Sequence, residues 1–153
     1  MIRVLFVCLG NICRSPMAEA VFINQVREAG LEGKIEADSA GTGHWHLGER
    51  PHAGTRRVLA DQGIDFDHRA RLVNQRDLET FDYVVVMDEA NFQDVRALGP
   101  VRGKLVRLMD YAPHTGVSEV PDPYYTGGFD GVYTLVREAT AGLLAAIRQE
   151  HGL

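Results

Sequence analysis

Ile2-Arg3-Val4-Leu5-Phe6-Val7-Cys8-Leu9-Gly10-Asn11-Ile12-Cys13-Arg14-Ser15-Pro16 runs from β-branched and aromatic residues into a glycine-containing turn and a proline. The apolar run Met1 to Cys8 reads as a buried strand that stops at Gly10. Pro16 suits a first helical position and restricts its predecessor to extended geometry, which makes Ser15 the expected N-cap. Ala18, Val21, Phe22, Val26 and Ala29 then recur at helical spacing as far as Gly30, the expected residue just past the helix end.

The same order repeats downstream. Ile35 to Ala40 is a weaker strand, Gly41 to Gly48 a glycine-rich loop around Trp45, and Thr55 to Gln62 a short helix closed by Gly63. Tyr83 to Met87 is a second clear strand, followed by a helix from Asp88 to Leu98 that Gly99-Pro100 ends. Leu105 to Leu108 reads as a final short strand. Residues Asp110 to Asp130 hold three of the six prolines and no periodicity, so they read as a long surface loop of the functional kind. Val132, Leu135, Val136, Ala139, Leu143, Ala146 and Ile147 form the apolar face of a last helix, with Asp130 the expected N-cap. Alternating strands and helices predict an α/β fold with a four-stranded parallel sheet and helices on both faces. Ligands bind such sheets at the carboxyl ends of the strands, where the loop after Cys8 lies.

A chain of 153 residues predicts a single domain, residues 1–153. Its hydrophobic content of 45% and charged content of 24% are those of a globular protein. A net charge of -5 argues against nucleic acid as a partner, and the apolar run Val4 to Leu9 is too short for membrane insertion. Cytoplasmic localisation is expected, and two cysteines in a reducing compartment point to catalysis or redox sensing rather than a disulfide framework.

A strand, a short loop and a helix N-terminus leave backbone N–H groups pointing into the loop, beside the positive end of a helix. Arg14 adds a planar fork that fits two oxygens of a phosphate-like group. The field that holds an anion also favours a thiolate. A free cysteine of pKa about 8.5 is roughly 3% ionised at pH 7, and a shift to about 6 gains roughly thirtyfold in thiolate. Falling nucleophilicity returns about tenfold of that. The larger rate term is therefore Arg14 and the amides holding a phosphoryl group in line with sulfur.

Cys8, five intervening residues, Arg14 and Ser15 resemble the C-x5-R-S loop of cysteine-dependent phosphatases. Together with Asp122-Pro123-Tyr124-Tyr125 they resemble the low-molecular-weight protein tyrosine phosphatases. The resemblance extends through Asp38-Ser39-Ala40-Gly41-Thr42, Gly63-Ile64, His68-Arg69-Ala70-Arg71 and Met87-Asp88-Glu89. It implies a flavodoxin-like, phosphotyrosine phosphatase I-like fold without cofactor or metal, acting on a tyrosine-phosphorylated protein made by a tyrosine kinase. Inorganic phosphate and similar oxyanions are the implied competitive ligands.

By this resemblance Cys8 is the nucleophile, Arg14 the phosphate clamp and Asp122 the general acid and base. Leu9, Gly10, Asn11, Ile12, Cys13, Arg14 and Ser15 form the phosphate loop. Asn11, Ser15, Ser39 and His68 brace it, and Trp45, Tyr124 and Tyr125 wall the substrate. One departure lies in Gly48 to Arg56, where many relatives carry an aspartate shortly before the arginine.

Alternatives on the same scaffold are an arsenate reductase and a protein-arginine phosphatase; a phosphate-binding regulatory module is the non-enzyme alternative. Ile12 counts against both enzymes, since similar loops in those relatives usually carry a smaller or polar residue there, and the Tyr124-Tyr125 pair suits an aromatic substrate. Cys13 has two readings, a small apolar residue at the helix start or a redox partner that forms a disulfide with Cys8. His44 and His46 lack further ligands at metal-binding spacing and read as part of a rim loop. Asp88 reads as a plain N-cap.

Overall fold

A computed structural model describes residues 1–153. Strands β1 (Ile2–Cys8), β2 (Ile35–Gly41), β3 (Tyr83–Val86) and β4 (Lys104–Arg107) form one parallel sheet in the order β2-β1-β3-β4. β1 pairs along its full length with β2, from Ile2 opposite Ile35 to Cys8 opposite Gly41, and its centre pairs with β3. The sheet order reverses beside β1, so the loop leaving β1 opens at a switch point.

Alternation along β1 divides the core. Val4, Phe6 and Cys8 face the larger apolar cluster, which is completed by α1 (Arg14–Glu28) and α6 (Phe129–His151). Leu5 and Val7 face the smaller one, where Leu78 of α3 (Gln75–Thr80) and Val95 of α4 (Glu89–Leu98) close over Val84 and Val86. α2 (Ala53–Asp61) covers the α6 side through Leu59. Helices thus lie on both faces, as the sequence predicts. No helix is long and apolar enough to cross a membrane.

Several expected details differ. α1 begins at Arg14, with Cys13 in the cap position and making no side-chain cap bond, so Ser15 lies inside the first turn and its hydroxyl is free for another partner. Gly128 caps α6 in place of Asp130, which sits within the first turn and pairs with Arg57. A 3₁₀ turn, Leu108–Tyr111, takes the residue expected to end the last strand and runs into the stretch expected as loop, which also contains a second 3₁₀ turn, Pro113–Thr115, and a one-turn helix, α5 (Pro123–Thr126). α3 carries a capping box: Asn74 accepts from the Asp77 amide, and Asp77 accepts from the Asn74 amide. It is too short to show apolar periodicity, and the sequence reading misses it.

Candidate active site

The loop from Cys8 to Ser15 is held from outside by its carbonyls. Thr42 N–H donates to Cys8 O at 3.0 Å, Gly43 N–H to Leu9 O at 2.8 Å, and His52 N–H to Ile12 O at 2.7 Å. The Thr55 hydroxyl donates to Cys13 O at 3.1 Å. With these carbonyls turned outward, the amides of Leu9 through Ser15 meet no intramolecular acceptor. The loop is therefore a row of unpaired donors around Cys8, at a helix N-terminus that favours negative charge.

Asn11 makes this shape possible. It is the only non-glycine residue with positive φ, at 56°, and asparagine tolerates that region better than most residues. Its buried side chain donates to Ser15 Oγ at 2.8 Å and to Ser39 Oγ at 3.0 Å. Its Oδ1 accepts from His68 Nε2 at 2.8 Å and from Arg71 N–H at 3.0 Å. Because Ser15 accepts from Asn11, its own proton is left for Cys8 Sγ, 3.0 Å away. The structure thus brings together Asn11, Ser15, Ser39 and His68, the residues expected to brace the loop.

Arg14 is 2% exposed. Its Nη1 donates to Asp88 Oδ2 at 2.7 Å and to Val120 O at 3.0 Å, and its Nη2 approaches Asp122 Oδ2 at 3.4 Å. Its Nε, also buried, has no partner. Burial disfavours the guanidinium, but Cys8, Asp88 and Asp122 outweigh it and hold its pKa above the ordinary value. Asp88 therefore does more than cap. Its Oδ1 accepts from Asn91 N–H at the start of α4, as expected, while Oδ2 orients Arg14. The sequence signal for that second role is its place just after β3, the strand beside β1.

Behind the loop lies a second residue that sequence reasoning misses, Glu19. Its Oε1 accepts from the Ser39 hydroxyl at 2.7 Å and faces His68 Nδ1 at 3.5 Å. Burial pushes the Glu19 carboxyl up to about 8, against the Ser39 bond, with Asp38 adding to the rise. Burial pushes His68 down. Glu19, Asp38 and His68 bring ligand-type atoms within 4.8 Å of one another. Each is already engaged, Glu19 by Ser39, Asp38 by Arg71 and His68 by Asn11.

A cavity of about 260 Å³ opens over Cys8 and is lined by Leu9, Gly10, Ile12, Cys13, Asp122, Trp45, Tyr124 and Tyr125, with His46 beside them. His46 is an addition to the expected wall; its ring lies 5.5 Å from that of Tyr124, and its Nδ1 pairs with Glu49 at 3.0 Å. His52 stands at the departure seen in the sequence and caps α2 through Nδ1, which accepts from Gly54 N–H. Asp122 caps α5 by accepting from Tyr124 N–H at 3.1 Å, which fixes its carboxylate at the mouth. Both cysteines are free, and burial, with Cys8 and Asp122 nearby, pushes the Cys13 thiol up to about 12.

A thiol at the end of the first strand is thus ringed by free amides and a buried arginine. The sequence matches the family described as low molecular weight phosphotyrosine protein phosphatase over residues 3–152, and the chain belongs to that family. It is 49% identical to the low molecular weight protein-tyrosine-phosphatase YfkJ of Bacillus subtilis, with all of both chains covered. The Streptomyces coelicolor low molecular weight protein-tyrosine-phosphatase is 48% identical, covering 97% of this chain and 94% of its own. The crystal structure of Bacillus subtilis YfkJ superposes with a TM-score of 0.95, covering 98% of this chain and 96% of its own at 50% identity. The crystal structure of DARP, the drosophila arginine phosphatase, superposes at 0.89, covering 95% and 97% at 32% identity.

Proposed function

We propose that the chain hydrolyses phosphotyrosine in proteins, and aryl phosphates generally, through a phosphocysteine intermediate on Cys8. The observation that carries this reading is the set of unpaired donors around one sulfur, the amides of Leu9 through Ser15 and Arg14 Nε. They match the equatorial oxygens of a phosphoryl group during in-line transfer.

In the first step the Cys8 thiolate forms the S–P bond as the P–O bond to the phenol breaks. Asp122 gives its proton to the departing oxygen. In the second step Asp122 takes a proton from water, whose oxygen attacks phosphorus, and the S–P bond breaks to release phosphate. Ser15 stabilises the thiolate by donating to it, while Asn11, Ser39 and His68 keep Ser15 in place. Trp45, Tyr124 and Tyr125 receive the phenyl ring. Cys13 serves as the partner that captures oxidised Cys8 as a disulfide. The partners of the reaction are a tyrosine-phosphorylated protein and the tyrosine kinase that makes it, with inorganic phosphate as competitive ligand. Two free thiols fit a cytoplasmic setting.

The test is hydrolysis of phosphotyrosine, phosphoserine and phosphoarginine peptides by wild type, Cys8→Ser and Asp122→Asn. Cys8→Ser is expected to abolish turnover, and Asp122→Asn to lower kcat by roughly 10²–10⁴ on phosphotyrosine. Full activity in Cys8→Ser refutes the mechanism. A preference of the wild type for phosphoarginine overturns the substrate assignment alone.

A further inference from the structure

Trp45 is the chain's single tryptophan, and it is 62% exposed although it lines the cavity over Cys8. An indole on an exposed loop ordinarily samples several rotamers, and ordering it costs free energy when a substrate binds. Here the ring lies across the α-carbon of Gly43. A methyl group on Gly43 would overlap Cε3 and Cζ3 of the indole and stand 3.0 Å from Cη2. Gly43 is not among the glycines with positive φ, so the position needs glycine for space rather than for backbone freedom. His44 stacks on the same indole, with ring centroids 5.2 Å apart and planes at 18°.

The backbone beneath the ring is fixed to the phosphate loop. Gly43 N–H donates to Leu9 O at 2.8 Å, and the preceding amide, Thr42 N–H, donates to Cys8 O at 3.0 Å. One residue therefore meets the loop through its amide and the aromatic wall through its bare α-carbon. The distance between wall and sulfur is set at that residue.

We propose that Gly43 is a specificity-determining positioning residue, which seats Trp45 as a fixed wall in register with Cys8 and so sets the preference for an aromatic phosphate ester. This rests on the reading of the cavity as a phosphotyrosine site. Gly43 itself touches no substrate atom; it acts through the indole, and removing the space it leaves turns a pre-ordered wall into a mobile one.

The test compares Gly43→Ala, Trp45→Ala and the double variant in the full chain. It uses iodide quenching of the single tryptophan, KM and kcat on a phosphotyrosine peptide, the inhibition constant of inorganic phosphate, and thermal melting. Gly43→Ala is expected to make the indole more quenchable and to raise KM roughly two- to tenfold, the range of one aromatic contact. The change in kcat is expected to be smaller, with phosphate inhibition unmoved. In the Trp45→Ala background the alanine at 43 is expected to have no further effect on KM. Unchanged quenching overturns the proposal, as does an equal KM loss in both backgrounds, which would place the effect on Leu9 and the loop. Should Gly43→Ala melt early, the double variant is expected to recover the melting temperature of Trp45→Ala; failure to recover also overturns it. If the wild type does not turn over phosphotyrosine, the specificity claim falls with the function, while the quenching and melting results still report whether Gly43 seats the ring.

Discussion

Replacing Asn11 by glycine and by alanine separates the two things this residue does, because both variants lose the same side-chain bonds and only one is comfortable with the backbone. Four hydrogen bonds converge on the buried amide: donations to Ser15 and Ser39, and acceptances from His68 and the Arg71 amide. Ser15, Ser39 and His68 have other neighbours to turn to, whereas the Arg71 N–H has none. One orphaned donor on the half-buried Arg71, at up to about 3 kcal/mol, and three lost bonds at about 1 kcal/mol each place the shared cost at up to about 6 kcal/mol. That is a large part of the roughly 5–15 kcal/mol that holds a domain together.

Backbone terms then decide the order. At φ 56° an alanine adds about 1–2 kcal/mol of left-handed strain. Glycine adds none, but costs about 0.5–1 kcal/mol more than alanine through the unfolded chain. Asn11→Gly is therefore expected to be the more stable of the two by up to about 1.5 kcal/mol, the reverse of the usual ranking. Urea unfolding followed by far-UV circular dichroism, with equal m-values required, measures the difference. Both variants are expected to lose most activity, since Ser15 is no longer held against Cys8. If alanine equals or exceeds glycine in stability, the left-handed loop is not what Asn11 supplies, and the account of the cradle fails.

Three other expectations concern groups around the same loop. Asp88→Ala removes both the α4 cap and a partner of the buried Arg14, which keeps Asp122 and the Val120 carbonyl, so the broken pair costs less than the about 3–5 kcal/mol of a fully orphaned buried charge. Asp88→Asn keeps the cap, so urea midpoints are expected to rank wild type, Asn, Ala; equal losses in both variants would deny the cap its share. For Glu19 the folded pKa of about 8 lies above the ordinary 4.5, so the folded state holds the extra proton and stability falls as pH rises from about 4.5 to 8. His68, pushed below 6.5, opposes this at lower pH. Wild-type stability is thus expected to decline from about pH 6.5 to 8, and Glu19→Gln, which can still accept from Ser39, to flatten that decline; an unchanged slope sinks the assignment. With Cys13 held as a thiol by its pKa of about 12, mild peroxide is expected to oxidise Cys8 first and then link it to Cys13. Peptide mapping that finds sulfinic acid on Cys8 and no linked pair refutes this.

What was legible in the sequence divides by range. Strand, loop and helix at the start depend on a single turn of chain, and the structure keeps that order with Cys8 and Arg14 at the two ends of one loop. Local propensity places Ser15, a serine before a proline, at the N-cap, a position that the structure gives to Cys13. The left-handed turn at Asn11 starts the helix earlier, and that releases the hydroxyl to Cys8. Glu19 is invisible in the sequence because a carboxylate does not mark the buried side of a helix unless its partner is known, and Ser39 lies 20 positions away on β2.

Asp88 shows where the boundary falls. Its capping role is written locally in Asp88 and Asn91, but its hold on Arg14 spans 74 positions and follows from β3 lying beside β1. Val120, whose carbonyl takes the same guanidinium, donates its amide to Met87 O and brings the Asp122 loop to that place. The ends of β1 and β3 and the segment before α5 thus share one buried cation. The parallel sheet sets where Cys8 lies, and Arg14 draws Asp122 to it.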